Sequence, residues 1–425
     1  MEMHVENLAK IASADFEFNG ITVIVGDNNT GKSTVGKILY AVFNSMINFK
    51  DRIELDRYRS CMAVLSEVMP RSPRRPFRNM PKEGDVITDF LSGKKDDDDI
   101  RYVIDTLARS RGVEVDTLKI MEALKEIRAP SDIVMRNRLI RNYFNSVFNG
   151  QYISFFNPQK GALVDLTVQG LDIRILLRKS VTTHKANLEI QHPAYYVDSP
   201  NLLHAINYND FGASPLSFPL AEAIRSGIRK SGGPGQSVVS DVTTDEKLQS
   251  IYDLVGTVLK GSLVVDDTGD VVLKQGKRQG FKREFDLDIG NMSQGLKSFG
   301  LILAAVKYGA LKRKDVLILD EPEIHLHPDW QIRYAELIVL IQKAFDLTVL
   351  LTSHSADFIQ AIRLFSKKYE TFHTVNAYIS SENSIGRAVF SKVPHDDWDS
   401  VFAKFEPAFD MLVKVESEIE ERNHE

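Results

Sequence analysis

The sequence predicts an α/β fold, and three features carry that prediction. The apolar run Ile21-Thr22-Val23-Ile24-Val25 breaks into a glycine-bearing loop at Gly26 and then into helical apolar spacing. Two further apolar runs, Val316 to Leu319 and Thr348 to Leu351, alternate with helical patterns in the last third of the chain. Short runs without polar alternation read as buried central strands.

The elements follow in order. Residues 2 to 25 read as short strands, with Phe16 and Phe18 alternating with polar neighbours before a turn at Asn19-Gly20. Val35, Ile38, Leu39, Val42 and Met46 then fall on one helical stripe. Residues 51–149 are charged and mostly helical in pattern. Their proline-rich basic stretch, 70–78, and the acidic run Asp96 to Asp99 read as exposed loops between helices. Ala162 to Val168 and Leu171 to Leu177 resemble a hairpin turning at Gln169-Gly170, and Ala194 to Val197 is another strand. Residues 231–237 (SGGPGQS) form a flexible loop. A helix over 244–260, strands near 262–274 and 281–287, a helix from Asn291 to about 310 and a helix over 330–345 complete the series. No repeat of fixed period is found.

The chain has 425 residues, against roughly 150 per domain, so two or three units are expected. Hydrophobic content of 43% and charged content of 26% exclude disordered and collagen-like classes. A net charge of −5 does not advertise nucleic-acid or membrane binding over the whole surface. One cysteine, Cys61, cannot close an internal disulfide, which favours a reducing cytoplasm, and it reads as a small buried hydrophobe. The first residues lack the pattern of a signal peptide. The longest apolar stretch, near Phe299 to Val306, falls far below the ~18 residues of a membrane span, so a soluble protein is expected.

Four strings carry chemistry. Gly26-Asp27-Asn28-Asn29-Thr30-Gly31-Lys32-Ser33-Thr34 fits a phosphate loop at every fixed position, after a strand and before a helix. Glycine permits the tight curl that turns backbone N–H groups inward to phosphate oxygens. Lys32 supplies a cation for the β- and γ-phosphates of ATP, and the Ser33 hydroxyl is a hard ligand for Mg²⁺. Val316-Leu-Ile-Leu-Asp320-Glu321-Pro322 is an apolar strand ending in two acids, costly unless they have work. Asp320 is expected to hold Mg²⁺, and Glu321 to orient or deprotonate the attacking water. Leu350-Leu-Thr-Ser-His354-Ser355 delivers His354 to a strand's carboxyl end, where it could bond the γ-phosphate. Asn291-Met-Ser293-Gln294-Gly295 opens a helix, and Ser293 and Gly295 form a second anion site, one that makes sense on the γ-phosphate held by a partner subunit.

In this order and spacing the four strings resemble the ABC ATPase superfamily, on its non-transporter side: SMC and RecF proteins and the OLD-type and PtuA-type ATPases. The run Asp320-Glu-Pro-Glu-Ile-His-Leu-His327-Pro328 with Thr352-Ser-His354-Ser355 is similar to the OLD-like DEP-x-x-x-LHP and THS strings. The resemblance implies an ABC ATPase head, with a mixed-sheet core and an antiparallel β subdomain. The head is split over 1–50 and 150–400, with a helical insertion at 51–149 and a helical tail at 401–425. It implies ATP-driven homodimerisation. The signature string departs from the transporter pattern, with Lys297 where many SMC-like heads place a basic residue. His327 stands where many members have the aspartate of the loop crossing the dimer interface. Asp198 stands near the place of the usual Mg²⁺-binding glutamine. His325 and His327 could be read as a metal pair, but structural and interface roles are preferred. Asp397-Trp-Asp399 lacks the context of a nuclease site.

The switch is expected to control a partner effector, a nuclease or toxin, in a bacterial defence complex. The alternative is a DNA-repair head acting directly on nucleic acid through Arg71, Arg74, Arg75, Arg78 and Lys82, which occur with no acid between them. A transporter subunit and a binding module with a dead site are weaker readings, and no membrane partner is expected.

Overall fold

The computed structural model describes residues 1–68, 83–178, 182–186, 190–207, 216–230, 246–276 and 285–405. The basic stretch at 70–78 with Lys82, the loop at 231–237 and the expected tail beyond 405 lie outside the described residues. The chain divides into two compact units, Met1–Asn44 with Asn142–Glu425, and Ser45–Arg141.

In the first unit the strands are β1 (Glu2–Leu8), β2 (Ile11–Glu17), β3 (Ile21–Gly26), β4 (Ala162–Val168), β5 (Leu171–Leu177), β6 (Thr182–Ala186) and β7 (Ala194–Val197), then β8 (Gly261–Val265), β9 (Val271–Gln275), β10 (Phe285–Asp288), β11 (Val316–Asp320), β12 (Thr348–Ser353), β13 (Asn376–Glu382) and β14 (Ala388–Val393). Eleven described strands form one mixed sheet in the order β6-β5-β4-β1-β2-β14-β13-β3-β12-β11-β7, and β10-β9-β8 form a second. The α/β class is therefore observed.

The large sheet has two characters. From β13 to β7 neighbouring strands run parallel. From β6 to β2 they run antiparallel, with β4–β5 turning at Gln169 and Gly170, both in the left-handed region. Burial explains the division. Ile21, Val23, Ile24 and Val25 are each fully buried, whereas β2 alternates buried and exposed residues, Phe16 facing in and Glu17 out.

Both faces of the parallel part are covered. Helix α1 (Lys32–Met46) lies over Ile318, Tyr196 and Leu350, and it comes so close that a Cβ on Gly36 would stand 2.8 Å from Ile318 Cγ2. Val35, Ile38, Leu39, Val42 and Met46 of its stripe are all fully buried. On the other face Val23, Val25, Leu317, Leu319, Val349 and Leu351 share a core with the helices Gln294–Lys307, Pro328–Phe345 and Ala356–Lys368. The first of these is buried from Lys297 through Val306, as a helix apolar on all sides must be. Each fully buried Leu, Ile or Phe contributes about 1.5–3 kcal/mol.

The second unit is helical: α2 (Phe49–Val68), α3 (Glu83–Ser92), α4 (Asp97–Arg111), α5 (Thr117–Arg128) and the first turns of α6 (Asp132–Phe148). It has a core of its own, in which Cys61, Ile87, Phe90, Ile104, Ile120 and Leu124 meet. Cys61 is fully buried, and burial pushes its thiol up to about 11, an inert state. The unit runs from Ser45 to Arg141, so its limits fall within α1 and α6.

One expectation is corrected. Asp96 to Asp99 is not a loop but the start of α4: Asp96 caps it, its carboxylate accepting the Asp99 N–H at 2.8 Å, and Asp97, Asp98 and Asp99 form the first turn. Carboxylates there complement the helix dipole. Near the end of the described chain, in Asp397-Trp398-Asp399, the tryptophan is the buried member, packed on Phe372.

Candidate nucleotide-binding site

The loop between β3 and α1 is shaped by residues that have little choice. Gly26 sits at φ 147°, and a Cβ there would fall 2.3 Å from the Ser380 carbonyl oxygen on the neighbouring strand. Gly31 has φ 86° and Asn29 φ 65°, a region Asn tolerates better than most residues. Thr30 is buried, donates its hydroxyl to the Asp27 carbonyl at 2.7 Å and lies 2.6 Å from Ser380 Oγ. Ser380 in turn donates to the Val25 carbonyl at 3.0 Å. These contacts hold the loop in a tight curl. Asp27, Asn28 and Asn29 are exposed, and Thr34 bonds back through its N–H to the Gly31 carbonyl at 3.1 Å.

Lys32 is only 4% exposed, with its amine donating to the carbonyls of Gly26 at 3.0 Å and Asp27 at 2.8 Å. Burial pulls its pKa down, and Glu321, Asp320 and Asp27 oppose that shift. An amine buried in a loop of carbonyls beside three acids is poised to meet an anion.

At the carboxyl end of β11, Asp320 gathers hydroxyls from three elements. Its Oδ1 accepts from Ser33 Oγ of α1 at 2.9 Å and from Thr352 Oγ1 of β12 at 2.6 Å. Its Oδ2 accepts from the Tyr196 hydroxyl of β7 at 2.7 Å. Burial, with Asp320 beside it, drives the Tyr196 phenol well above its ordinary pKa, so it stays a donor. Glu321 follows at φ 51°, a left-handed conformation that costs an ordinary residue roughly 1–2 kcal/mol. Its N–H donates to the Thr352 carbonyl at 3.2 Å and to the Thr352 hydroxyl at 3.1 Å. The strain turns its side chain to His354, whose Nε2 lies 3.0 Å from Glu321 Oε1, outside the alignment of a hydrogen bond. The shielded, unaligned Nε2 and the oxygen set of Ser33 and Asp320 suit a phosphate with a hard divalent cation.

Asp198, at the end of β7, lines a cavity of about 140 Å³ with Ser199, Ser298, Asp320, Glu321 and His325. Desolvation and then Asp320 push its carboxyl pKa up, while Lys37 opposes. His327 caps the helix Pro328–Phe345, its Nδ1 accepting the Asp329 N–H at 3.4 Å. Among the described residues no cluster of three or more metal-ligating side chains occurs.

The Ser293 string stands apart from this assembly. Ser293 is exposed and caps the helix Gln294–Lys307, accepting the Leu296 N–H at 3.4 Å. Gly295 is buried, and a Cβ there would stand 3.0 Å from the Trp330 ring. No hydrogen bond among the described residues joins either of them to the phosphate loop. Packing on Trp330 thus leaves little room for a side chain at Gly295, and Lys297 donates to the Gly290 carbonyl at 3.3 Å.

A cavity of about 790 Å³ opens beside Asn29, lined by Lys10, Tyr152, Ser154 and Phe155. Lys10 donates to the Asn29 carbonyl at 2.7 Å and pairs with Glu382. Phe155 is 73% exposed and stacks on Phe156 with ring centroids 4.2 Å apart. Sequence reading passed over this wall, and over Tyr196, Thr352 and Glu323. For Tyr196 the signal was a hydroxyl in an otherwise apolar strand; Phe155-Phe156 carried none, since aromatic pairs are ordinary core.

Residues 243–359, which span Ser293, Gly295, Asp320, Glu321 and His354, match the family described as "AAA domain, putative AbiEii toxin, Type IV TA system". No curated protein matches the chain by sequence. Among solved structures it is similar to the SMC head domain from Thermotoga maritima, at 10% identity over 92% of this chain and 98% of that one, with a TM-score of 0.38. An SMC head bound to the C-terminal winged-helix domain of ScpA aligns at 13% identity over 92% and 97% of the two chains, TM-score 0.43. An SMC head with an extended coiled coil, bound to the C-terminal domain of ScpA from Pyrococcus furiosus, aligns at 12% identity over 98% of each, TM-score 0.40. Among the described residues no helix is long and apolar enough to cross a membrane.

Proposed function

We propose that the split unit is an ATPase head of the ABC type that works as a nucleotide-dependent switch. The observation that carries the reading is the convergence on one sheet edge of Ser33, Asp320, Glu321 and His354, from α1, β11 and the end of β12. The loop Gly26–Thr34 binds the phosphates through backbone N–H groups, and Lys32 neutralises them. Mg²⁺, when bound, supplies further charge neutralisation, and Ser33 and Asp320 are the residues that hold it, with Asp198 a third oxygen facing the same cavity. Glu321 orients the attacking water and takes its proton. His354 contacts the γ-phosphate from the neighbouring strand end. The cavity beside Asn29 takes the base and ribose, with Phe155 as a stacking face.

Ser293 and Gly295 act in trans in this reading, closing on the γ-phosphate bound to a second copy. A nucleotide drives such a switch only by binding one state better than the other, and the trans contact provides the difference. The output in this reading is a partner effector protein, restrained or released by the head dimer.

Size-exclusion with light scattering, with and without ATP and Mg²⁺, tests this. Glu321→Gln is expected to accumulate a nucleotide-bound dimer, and Lys32→Ala to remain a monomer without hydrolysis. Equal dimerisation of both variants, or hydrolysis by Lys32→Ala at the rate of the unaltered protein, would refute the switch.

A further inference from the structure

The carboxylate of Glu323 is assigned no work by the reading above, yet it is withdrawn from water at the centre of the site. It is 5% exposed. One oxygen, Oε1, accepts both the Ser353 hydroxyl at 2.7 Å and the His354 backbone N–H at 2.8 Å. The other, Oε2, is buried without a hydrogen-bond partner among the described residues. A carboxylate held this way is unfavourable unless its position matters. Burial pushes its pKa up, opposed by the bonds from Ser353 and His354.

Its position adds a link between the segment that follows β11 and the end of β12, beyond the pairing of the two strands. Glu323 leaves β11 two residues after Glu321, and Ser353-His354 leaves β12. Glu321 is already tied back to Thr352 through its N–H, so the Glu323 bonds close a second tie across the same gap. Both ties are needed because Glu321 is left-handed and would relax if its neighbours could move. We infer that Glu323 is a positioning residue for hydrolysis: its Oε1 locks the ends of β11 and β12 together, so that Glu321 and His354 meet the γ-phosphate as one unit. It acts through the His354 backbone.

The inference rests on the ATPase reading, and its test separates the two. Three quantities are measured on the full chain: affinity for a fluorescent ATP analogue, steady-state hydrolysis, and hydrogen exchange of the segment carrying the His354 amide. Glu323→Ala is expected to bind nucleotide within about twofold of the unaltered protein while kcat falls roughly ten- to hundredfold, the range of small misplacements in a site. The His354 segment is expected to exchange roughly tenfold faster in the same variant, since its amide has lost its acceptor. Glu323→Gln keeps an acceptor oxygen in place and is expected to retain kcat within about twofold. Where Glu323→Ala fails to fold, Glu323→Asp withdraws the acceptor by one methylene and is read in the same way.

Unchanged kcat in Glu323→Ala overturns the inference, as does a loss in Glu323→Gln equal to that in Glu323→Ala. Exchange unchanged by the Ala substitution overturns it as well. If the unaltered protein binds no nucleotide, the ATPase reading fails, and the exchange measurement still decides whether Glu323 holds the His354 backbone.

Discussion

Buried polarity separates the two units. In the unit that holds the large sheet, Thr30, Lys32, Glu323, Thr352, Ser353 and Ser380 are all withdrawn from water within a few residues of the carboxyl ends of parallel strands. In the unit Ser45–Arg141 the buried polar members among the described residues are Ser45 and Thr117, and the rest of its core is apolar. Glu321, Asn29 and His325 are left-handed near the strand ends that carry the site, and in the helical unit Asn48 and Gly112 take that conformation, Gly112 closing α4. A left-handed side chain costs on the order of 1–3 kcal/mol, so Glu321 keeps its conformation only because its neighbours hold it. The helical unit has the economy of a scaffold: capped helices and a packed apolar core.

The most damaging test of that contrast is in the scaffold. Ile104 is fully buried, and Ile104→Ala is expected to cost about 2–5 kcal/mol of the helical unit's stability. Urea melts monitored beside a nucleotide titration check this. Affinity is expected to stay constant below the transition, and a parallel loss of affinity would break the separation of roles.

Phe155→Ala sharpens the other side of the comparison. Loss of a stacking face is worth about 1–3 kcal/mol, so the dissociation constant for ATP is expected to rise roughly tenfold, with the unfolding midpoint unchanged because the ring is exposed. Asp96→Ala is the smaller matching test in the helical unit. Removing that cap is expected to cost about 1 kcal/mol in the same melts, without effect on hydrolysis.

The subtlest difference is in pH. Burial raises the Glu323 carboxyl above its ordinary value of 4.5, so the folded state holds that proton more tightly than the unfolded chain does. Its contribution to stability is complete below the ordinary value and is lost as pH rises through the raised one. Glu323→Gln removes the slope. The melting temperature of the variant relative to the unaltered protein is expected to climb as pH rises above the ordinary carboxyl value. A flat difference for Glu323→Gln would mean the carboxylate is ionised in the fold at no cost.

Much of the site was legible because its signals are local. A phosphate loop is one contiguous string whose glycines answer to backbone angles decided within a few residues, and Gly26 and Gly31 are found in those conformations. The apolar strands ending in Asp320-Glu321 and in His354 were equally readable, since burial on two faces leaves a run with no alternation. Local chemistry was misread once, at Asp96 to Asp99, where a charge run was taken for a loop although carboxylates also favour a helix start.

What only the tertiary structure decided is which side chains meet. Strands β3, β12, β11 and β7 lie side by side in an order unlike their order in the chain. That order brings Tyr196, Ser33 and Thr352 onto Asp320, sets Glu321 against His354, and puts Glu323 under the His354 amide. By itself the sequence determined the motif residues and the turns they require, because those depend on φ angles and side-chain period. The partners of Asp320 and Glu323 depend on sheet order and register, long-range pairings that no window of sequence contains.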